Sequence, residues 1–184
     1  MLYISNIVFL FTSKNVDPYL YVGTIYDFKR DYIKAIEYYE ISAKHNDSYA
    51  LNSLGNIYYC GHGVKQDNNK AKKYYELSAK QNNSYAFVNL GNLYYNECGV
   101  KQDYNKAKEY YELSAKQNNS DAFGNLGNLY YNGCGVKQDY NKAKEYYEIS
   151  AKQNNSDALN SLGNIYASGY GVRQDYNKAK EYYE

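Results

Sequence analysis

Hydrophobic positions along this chain fall into short runs of helical spacing, two runs to a unit, separated by polar and glycine-containing punctuation. In the first run Leu54, Gly55 and Tyr58, with Ala50 and Leu51 a turn earlier, stand three and four residues apart. Side chains at that spacing share one stripe of an α-helix, so the pattern predicts a helix A buried along it. In the second run Ala71, Tyr74, Tyr75, Ser78 and Ala79 keep the same spacing, which predicts a helix B with one buried face. Ser48, Ser84, Ser120 and Ser156 stand where the caps of helix A are expected, and Asp67, Asp103, Asp139 and Asp175 where those of helix B are. A short oxygen-bearing side chain there accepts a bond from an orphan amide. Helix A is expected to stop at Gly61-His62-Gly63 and helix B at Asn82-Asn83, residue types that tolerate left-handed backbone. The opposite face of helix B carries Lys108, Glu112 and Lys116 at four-residue spacing and reads as solvated surface.

The pair of runs recurs. Ser48–Asn83, Ser84–Asn119, Ser120–Asn155 and the stretch from Ser156 align without a gap at the 36-residue step from Ser48 to Ser84, a period in the range of helical arrays. Gly55, Gly91, Gly127 and Gly163 fall in register, as do Ala71, Ala107, Ala143 and Ala179. Gly23, Ile25, Tyr26, Ala35, Tyr38, Tyr39 and Ala43 repeat the pattern once more, in degenerate form and with a linker four residues shorter. The expected organisation is an apolar segment over 1–16, a degenerate repeat over 17–47, repeats over 48–83, 84–119 and 120–155, and a truncated repeat over 156–184, all in one domain. The fold class that follows is all-α, a solenoid of about five antiparallel helix pairs.

Composition narrows the function classes. A net charge of +1 leaves no basic footprint for nucleic acid. The longest apolar stretch, Leu2 to Phe11, is interrupted by Ser5 and Asn6 and falls short of the roughly 18–20 residues of a membrane span. It reads as a truncated signal core or as a segment covering the first unit, and the covering role is preferred because a solenoid's first helix otherwise exposes an apolar face. No basic n-region precedes it, which favours a cytoplasmic location while leaving a secretory one open. The chain carries 28 Tyr against 5 Phe and no Trp; its excess of Asn, Lys, Tyr and Ile matches an AT-rich genome, so Tyr stands in for other aromatics. The sequence ends at Tyr182-Tyr183-Glu184, midway through a helix B, and is expected to be a fragment or a decayed gene product whose uncapped end frays or self-associates.

The string Ala122, Leu126-Gly127, Tyr130, Gly133-Cys134-Gly135-Val136, Asp139, Lys142-Ala143, Tyr146-Tyr147, Ala151 resembles the Sel-one-like repeat (SLR), a branch of the tetratricopeptide (TPR) superfamily. The resemblance covers Ser48 to Glu184, while Asp31 to Ile36 is closer to a plain tetratricopeptide repeat. Departures are Tyr74, Tyr110, Tyr146 and Tyr182 where the family often has Trp, Asn where helix B usually ends in Gly, and Glu97 in place of the first linker glycine. The resemblance implies a right-handed superhelix that acts as an adaptor, holding other proteins together without catalysis. Some cysteine-rich bacterial members are described as β-lactamase-like hydrolases, which makes that class the alternative, together with a purely structural spacer in a larger protein.

The hydrolase class rests on regularly paired cysteines within repeats, whereas this chain has Cys60, Cys98 and Cys134 alone. Cys98 and Cys134 hold equivalent positions in neighbouring repeats, where a spacing of roughly 10 Å exceeds the ~7 Å reach of a disulfide, so free thiols are expected. His45 and His62 do not recur from unit to unit, and His62 with Cys60 supplies only two of the four ligands of a closed metal site. No catalytic group, cofactor or metal is therefore predicted. The glycines of Gly61-x-Gly63, Gly133-x-Gly135 and Gly169-x-Gly171 read as helix punctuation and not as a phosphate loop. Asn46, Asn82, Asn118 and Asn154 each fit a glycosylation acceptor pattern, and turn chemistry accounts for them better.

Function then falls to the face the array presents. In the tetratricopeptide arrangement helix A lines the concave side, and its positions outside the packing stripe include Asn56 and Tyr59, Tyr85, Asn92 and Tyr95, Asp121, Asn128 and Tyr131, and Asn164. Asn56, Asn92, Asn128 and Asn164 follow the helix A glycine directly, where related peptide-binding repeats place an asparagine on a ligand's main chain. Asparagine offers a donor and an acceptor, which suits an extended peptide. The alternative is that the ladder merely records duplication in an Asn-rich genome. The expected partner is a protein or extended peptide. Lysines and arginines that would clamp a terminal carboxylate are missing from these positions.

Overall fold

The computed structural model describes residues 17–184, and among these lie ten α-helices and no strand. They are α1 (Pro18–Phe28), α2 (Tyr32–Lys44), α3 (Ser48–Cys60), α4 (Asn68–Ala79), α5 (Ser84–Tyr95), α6 (Tyr104–Ala115), α7 (Ser120–Asn132), α8 (Tyr140–Ala151), α9 (Ser156–Ser168) and α10 (Tyr176–Tyr183). Odd-numbered helices are the predicted helices A and even-numbered ones the helices B. The segment Leu2 to Phe11 lies outside the described residues. The chain forms two compact units, one ending at Ala86 and the other running Phe87–Glu184.

Within the first unit α1 packs on α2, α2 on α3, and α3 on α4. The second unit repeats this order, α6 on α7, α7 on α8, α8 on α9, and α9 on α10. The fold class is thus the all-α solenoid that the periodicity predicts. Its core is renewed at each repeat. Ala35, Tyr39, Ala50, Leu54 and Ile57 form one cluster in the first unit. In the second unit Tyr130, Ala143, Tyr147, Ala158, Leu162 and Ile165 form the corresponding layer. The helix A stripe is buried as predicted, with Ala50, Leu51, Leu54 and Tyr58 all in the core. On helix B, Ala71, Tyr75 and Ser78 are buried while Tyr74 and Ala79 are half-buried.

The helix B caps are the predicted aspartates: Asp67, Asp103, Asp139 and Asp175 each accept the amide three residues on. The helix A caps are one residue earlier than predicted. Asp47, Asn83, Asn119 and Asn155 accept the orphan amides, which puts Ser48, Ser84, Ser120 and Ser156 inside the first turn. An Asp or Asn side chain caps at least as well as Ser, so the two neighbours compete and the helix starts after the stronger one. The backbone of these serines serves the helix pair. Ser48 and Ser120 offer their carbonyl oxygens to the buried hydroxyls of Ser78 and Ser150, at 2.7 and 2.8 Å.

Both helix ends use left-handed backbone. After helix B, Asn82 has φ 61° and the Asn83 amide returns to the Ser78 carbonyl, while after helix A Gly61 has φ 72° and the His62 amide returns to Ile57. This is the closure expected of a left-handed residue past a helix end. At the third repeat Glu97 takes the same position with φ 58°, and the Cys98 amide still reaches the Leu93 carbonyl at 3.0 Å. A residue with a Cβ is strained there by about 1–2 kcal/mol, which glycine escapes. Glu97→Gly is therefore expected to raise the unfolding free energy by about 1 kcal/mol, less the entropy glycine adds to the unfolded chain. Urea denaturation of the two proteins checks this, and an unchanged or lowered midpoint contradicts it.

Candidate functional site

The asparagine that follows each helix A glycine stands at the surface, yet its carbonyl is occupied. Tyr75 donates its hydroxyl to Asn56 Oδ1 at 2.8 Å, and Tyr111, Tyr147 and Tyr183 donate to Asn92, Asn128 and Asn164 at 2.7 Å each. In the degenerate repeat Thr24 takes the ladder position, and Tyr39 donates instead to Asp27 Oδ2 at 3.2 Å and Thr24 Oγ1 at 3.5 Å. Each tyrosine stands on helix B across from the helix A glycine, its ring where a Cβ on that glycine would be. The ring's Cδ1 and Cε1 are among the nearest atoms to that position, and the hydroxyl reaches the next residue. The sequence marks Asn and Tyr as separate repeated positions; their pairing across nineteen residues follows only from the packing of helix B on helix A.

Burial pushes the hydroxyl pKa of Tyr75, Tyr111 and Tyr147 well above the ordinary tyrosine value. The folded state thereby favours the neutral ring. That contribution is fully present below the unfolded pKa of about 10 and is lost as the pH rises beyond it. In an alkaline titration these three tyrosines are expected to ionise only as the helical circular dichroism is lost. Ionisation of all 28 tyrosines with the helical signal intact would contradict this.

In the second unit the helix A residues of α5, α7 and α9 enclose a groove of about 350 Å³. Asn92 and Asn128, from the predicted ladder, line it together with Asp121, Gly124, Asp157 and Ser161. Asn92 Oδ1 also accepts Asn125 Nδ2 at 3.3 Å, tying α5 to α7. Asn155, having capped α9 through its oxygen, donates its amide to Asp121 Oδ1 at 2.8 Å. The lining includes two acidic side chains and no basic one. Both acids are in the first turn of their helices, where the exposed amides favour negative charge.

The remaining predicted residues are placed elsewhere. Asn164 is exposed on α9, outside the groove lining, and Asn56 and Tyr59 belong to the first unit. Tyr85, half exposed, meets Tyr49 at a ring separation of 6.5 Å. Tyr95 and Tyr131 turn toward the start of helix B, edge-on to Tyr104 and Tyr140 with ring centroids 5.3 Å apart in both cases. Tyr131 also meets Tyr170 in the following linker, with ring centroids 6.1 Å apart. Tyr170, between Gly169 and Gly171, stacks on Tyr140 of the preceding repeat at 4.9 Å, and His62 stacks on Tyr32 at 4.6 Å. The second linker glycine permits that descent, since a Cβ on Gly135 would lie 2.8 Å from Tyr104 Cβ. The Gly-x-Gly signal is therefore an inter-repeat contact as well as punctuation.

The outer face of helix B is occupied by its own side chains. Tyr74, Tyr110, Tyr146 and Tyr182 stack on Tyr58, Tyr94, Tyr130 and Tyr166 at 5.7 to 5.9 Å. Lysines close these stacks: Lys70 Nζ lies 3.9 Å from the Tyr58 ring centroid and donates to its hydroxyl at 2.7 Å, which pushes the lysine pKa up. Lys108 pairs with Glu112 at 3.3 Å, the solvated ion pair that the spacing predicts. Cys60, Cys98 and Cys134 are free thiols, as expected. Among the described residues no three His, Cys, Asp or Glu side chains are grouped to hold a metal ion. No helix there is long and apolar enough to cross a membrane.

A family model described as the Sel1 repeat matches residues 19–47, 48–83, 84–119, 124–155 and 156–184. No curated protein matches the chain. Among solved structures, a Sel1 repeat protein from Oxalobacter formigenes is 32% identical with a TM-score of 0.79, over 90% of this chain and 69% of that one. A protective antigen of uropathogenic Escherichia coli strains with an SLR fold is 28% identical with a TM-score of 0.75, over 90% of this chain and 36% of its own length. Cysteine rich protein B of Helicobacter pylori is 27% identical with a TM-score of 0.56, over 72% of this chain and 95% of that one.

Proposed function

The chain belongs to the Sel1 repeat family, whose members are generally helical scaffolds for protein interaction and mostly not catalysts, and on that footing we propose that it is a non-catalytic adaptor. It binds an extended segment of a partner protein along the helix A face. The observation that carries this reading is the groove of the second unit, walled by helix A residues of three successive repeats and containing Asn92 and Asn128. Because tyrosine hydroxyls take the Oδ1 atoms of these asparagines, their role toward a ligand is that of donors. The amide groups meet the carbonyls of an extended backbone. Helix axes about 10 Å apart and a peptide advancing ~3.3 Å per residue bring successive asparagines to about every third residue of the ligand. In the first unit Asn56 holds the equivalent ladder position, its Oδ1 likewise taken by Tyr75. The cysteine-rich hydrolase class gains no support from three free thiols.

A fair test removes the amides without stranding the hydroxyls. Tyr111→Phe with Tyr147→Phe gives a reference, and adding Asn92→Ala with Asn128→Ala deletes the ladder in its central part. Each asparagine contributes about 0.5–1.5 kcal/mol, so a peptide selected on the native chain is expected to bind roughly tenfold more weakly to the fourfold variant than to the reference. Full affinity in the fourfold variant, with loss instead on charge reversal at Lys108, Glu112 and Lys116, would move the site to the outer face and defeat the reading.

A further inference from the structure

Six glycines lie inside helices of the described chain, and five share one reason for being there. A Cβ added at Gly23, Gly55, Gly91, Gly127 or Gly163 would come within 2.3 to 2.6 Å of a tyrosine ring on the packed helix B. Gly124 has no such reason. A Cβ there would meet nothing nearer than Ser150 Oγ at 3.6 Å, an ordinary contact, and the equivalent positions of the other 36-residue repeats hold Asn52, Val88 and Asn160. A helix interior disfavours glycine, so this position gives up helix stability with no ring packed on it. Gly124 is part of the groove lining and adds no side chain to it. Asp121, one turn before it on α7, and Asp157 on α9 line the same groove.

Among the described residues no side-chain cation neutralises the acids around that hollow. Asp121 accepts Asn155 through one carboxylate oxygen only, and Asp157 is exposed, with no ion pair among the described residues. With no Lys, Arg or His in the lining, a recess with two carboxylates sets up a negative potential that selects for a cation. Resting on the peptide-groove reading above, we propose that the hollow over Gly124 receives the side chain of an arginine or lysine in the bound segment, its cationic head held by Asp121 and Asp157. The long apolar stem of such a residue passes over the bare backbone of Gly124 and the charged head reaches the rim. The flanking backbone of the segment meets Asn92 and Asn128. The groove is thus read for a basic residue at one place and for main chain on either side.

The test uses the full chain and labelled peptide pools of about nine residues, roughly 30 Å when extended, with randomised flanks and a central Arg, Lys, Ala or Glu. Fluorescence anisotropy at low and moderate salt reads the affinities. Arg- and Lys-centred pools are expected to bind on the order of tenfold more tightly than the Ala-centred pool, and the Glu-centred pool more weakly, with the difference shrinking as salt rises. Asp121→Asn with Asp157→Asn is expected to erase the preference, so that the Arg- and Lys-centred pools bind this variant no more tightly than the Ala-centred pool does. Glu109→Gln with Glu145→Gln, an equal change of charge on exposed helix B positions, is expected to keep it. Gly124→Leu is expected to weaken the Arg-centred pool with no drop in the thermal midpoint. Equal binding of Arg- and Ala-centred pools by the native chain, or a preference that survives the double aspartate change, overturns the cationic pocket and leaves the peptide groove standing. Absence of binding by every pool overturns the peptide groove itself.

Discussion

Replacing Gly127 with valine is expected to lower the unfolding free energy of the chain by about 1–3 kcal/mol, the cost of forcing extra carbons into a filled core. A Cβ at Gly127 lies 2.5 Å from Cε1 of Tyr147, inside any contact that real atoms make. The ring cannot retreat freely, because Tyr147 is only 2% exposed and its hydroxyl is held by Asn128 at 2.7 Å. Alanine is the sharper probe. By propensity alone Gly127→Ala gains about 0.8–1 kcal/mol, yet its single extra carbon meets the same ring, so a net loss is expected. Gly124→Ala, three residues earlier on the same helix, makes only an ordinary contact with Ser150 Oγ at 3.6 Å and is expected to gain about 0.5–1 kcal/mol. Urea denaturation of the three variants reads opposite signs along one helix. A midpoint unchanged or raised by Gly127→Val, or the same sign for both alanine variants, would show that ring packing does not require the glycine.

The second large effect is expected from Asn92→Ala with Asn128→Ala. Read as surface residues facing a ligand, these asparagines should be removable at no cost to stability, and that expectation does not survive the hydrogen bonds they make. Each change strands the hydroxyl of a tyrosine that is 2% exposed, Tyr111 or Tyr147. A buried hydroxyl without a partner costs about 1–3 kcal/mol. Because the groove opens to water at this point, the low end applies, about 1 kcal/mol for each site and ~2 for the pair. Adding Tyr111→Phe and Tyr147→Phe is expected to recover most of that loss, since removing both partners of a hydrogen bond is close to neutral. Denaturation of the double, the phenylalanine pair and the fourfold variant closes the cycle. Additive losses without recovery would mean that the two groups are not coupled. The asparagines therefore serve the fold and the ligand face together, and a binding assay that lacks the phenylalanine background mixes the two.

What could be read from the residues alone was local in origin. Helix positions, their 36-residue return, the aspartate caps of helix B and the left-handed Asn82 and Gly61 each depend on a few neighbours in the chain. A period of three and four, a capping carboxylate or a residue tolerant of positive φ acts within one or two helical turns, so the sequence states it directly. The capping register of helix A was the exception, since Asn119 and Ser120 are both competent and only the folded chain selects between them. The partner of each repeated residue was settled by tertiary structure. Gly124 and Gly127 are the same residue type in one helix, and only the tyrosine ring of α8 tells them apart, covering one and missing the other. Asn128 looked like a free surface amide until Tyr147 reached it from nineteen residues away. Asp121 and Asp157 share a groove because α7 and α9 enclose it together. Such contacts join positions far apart along the chain, and their geometry is set by how helices pack on one another, a quantity no single turn of sequence contains.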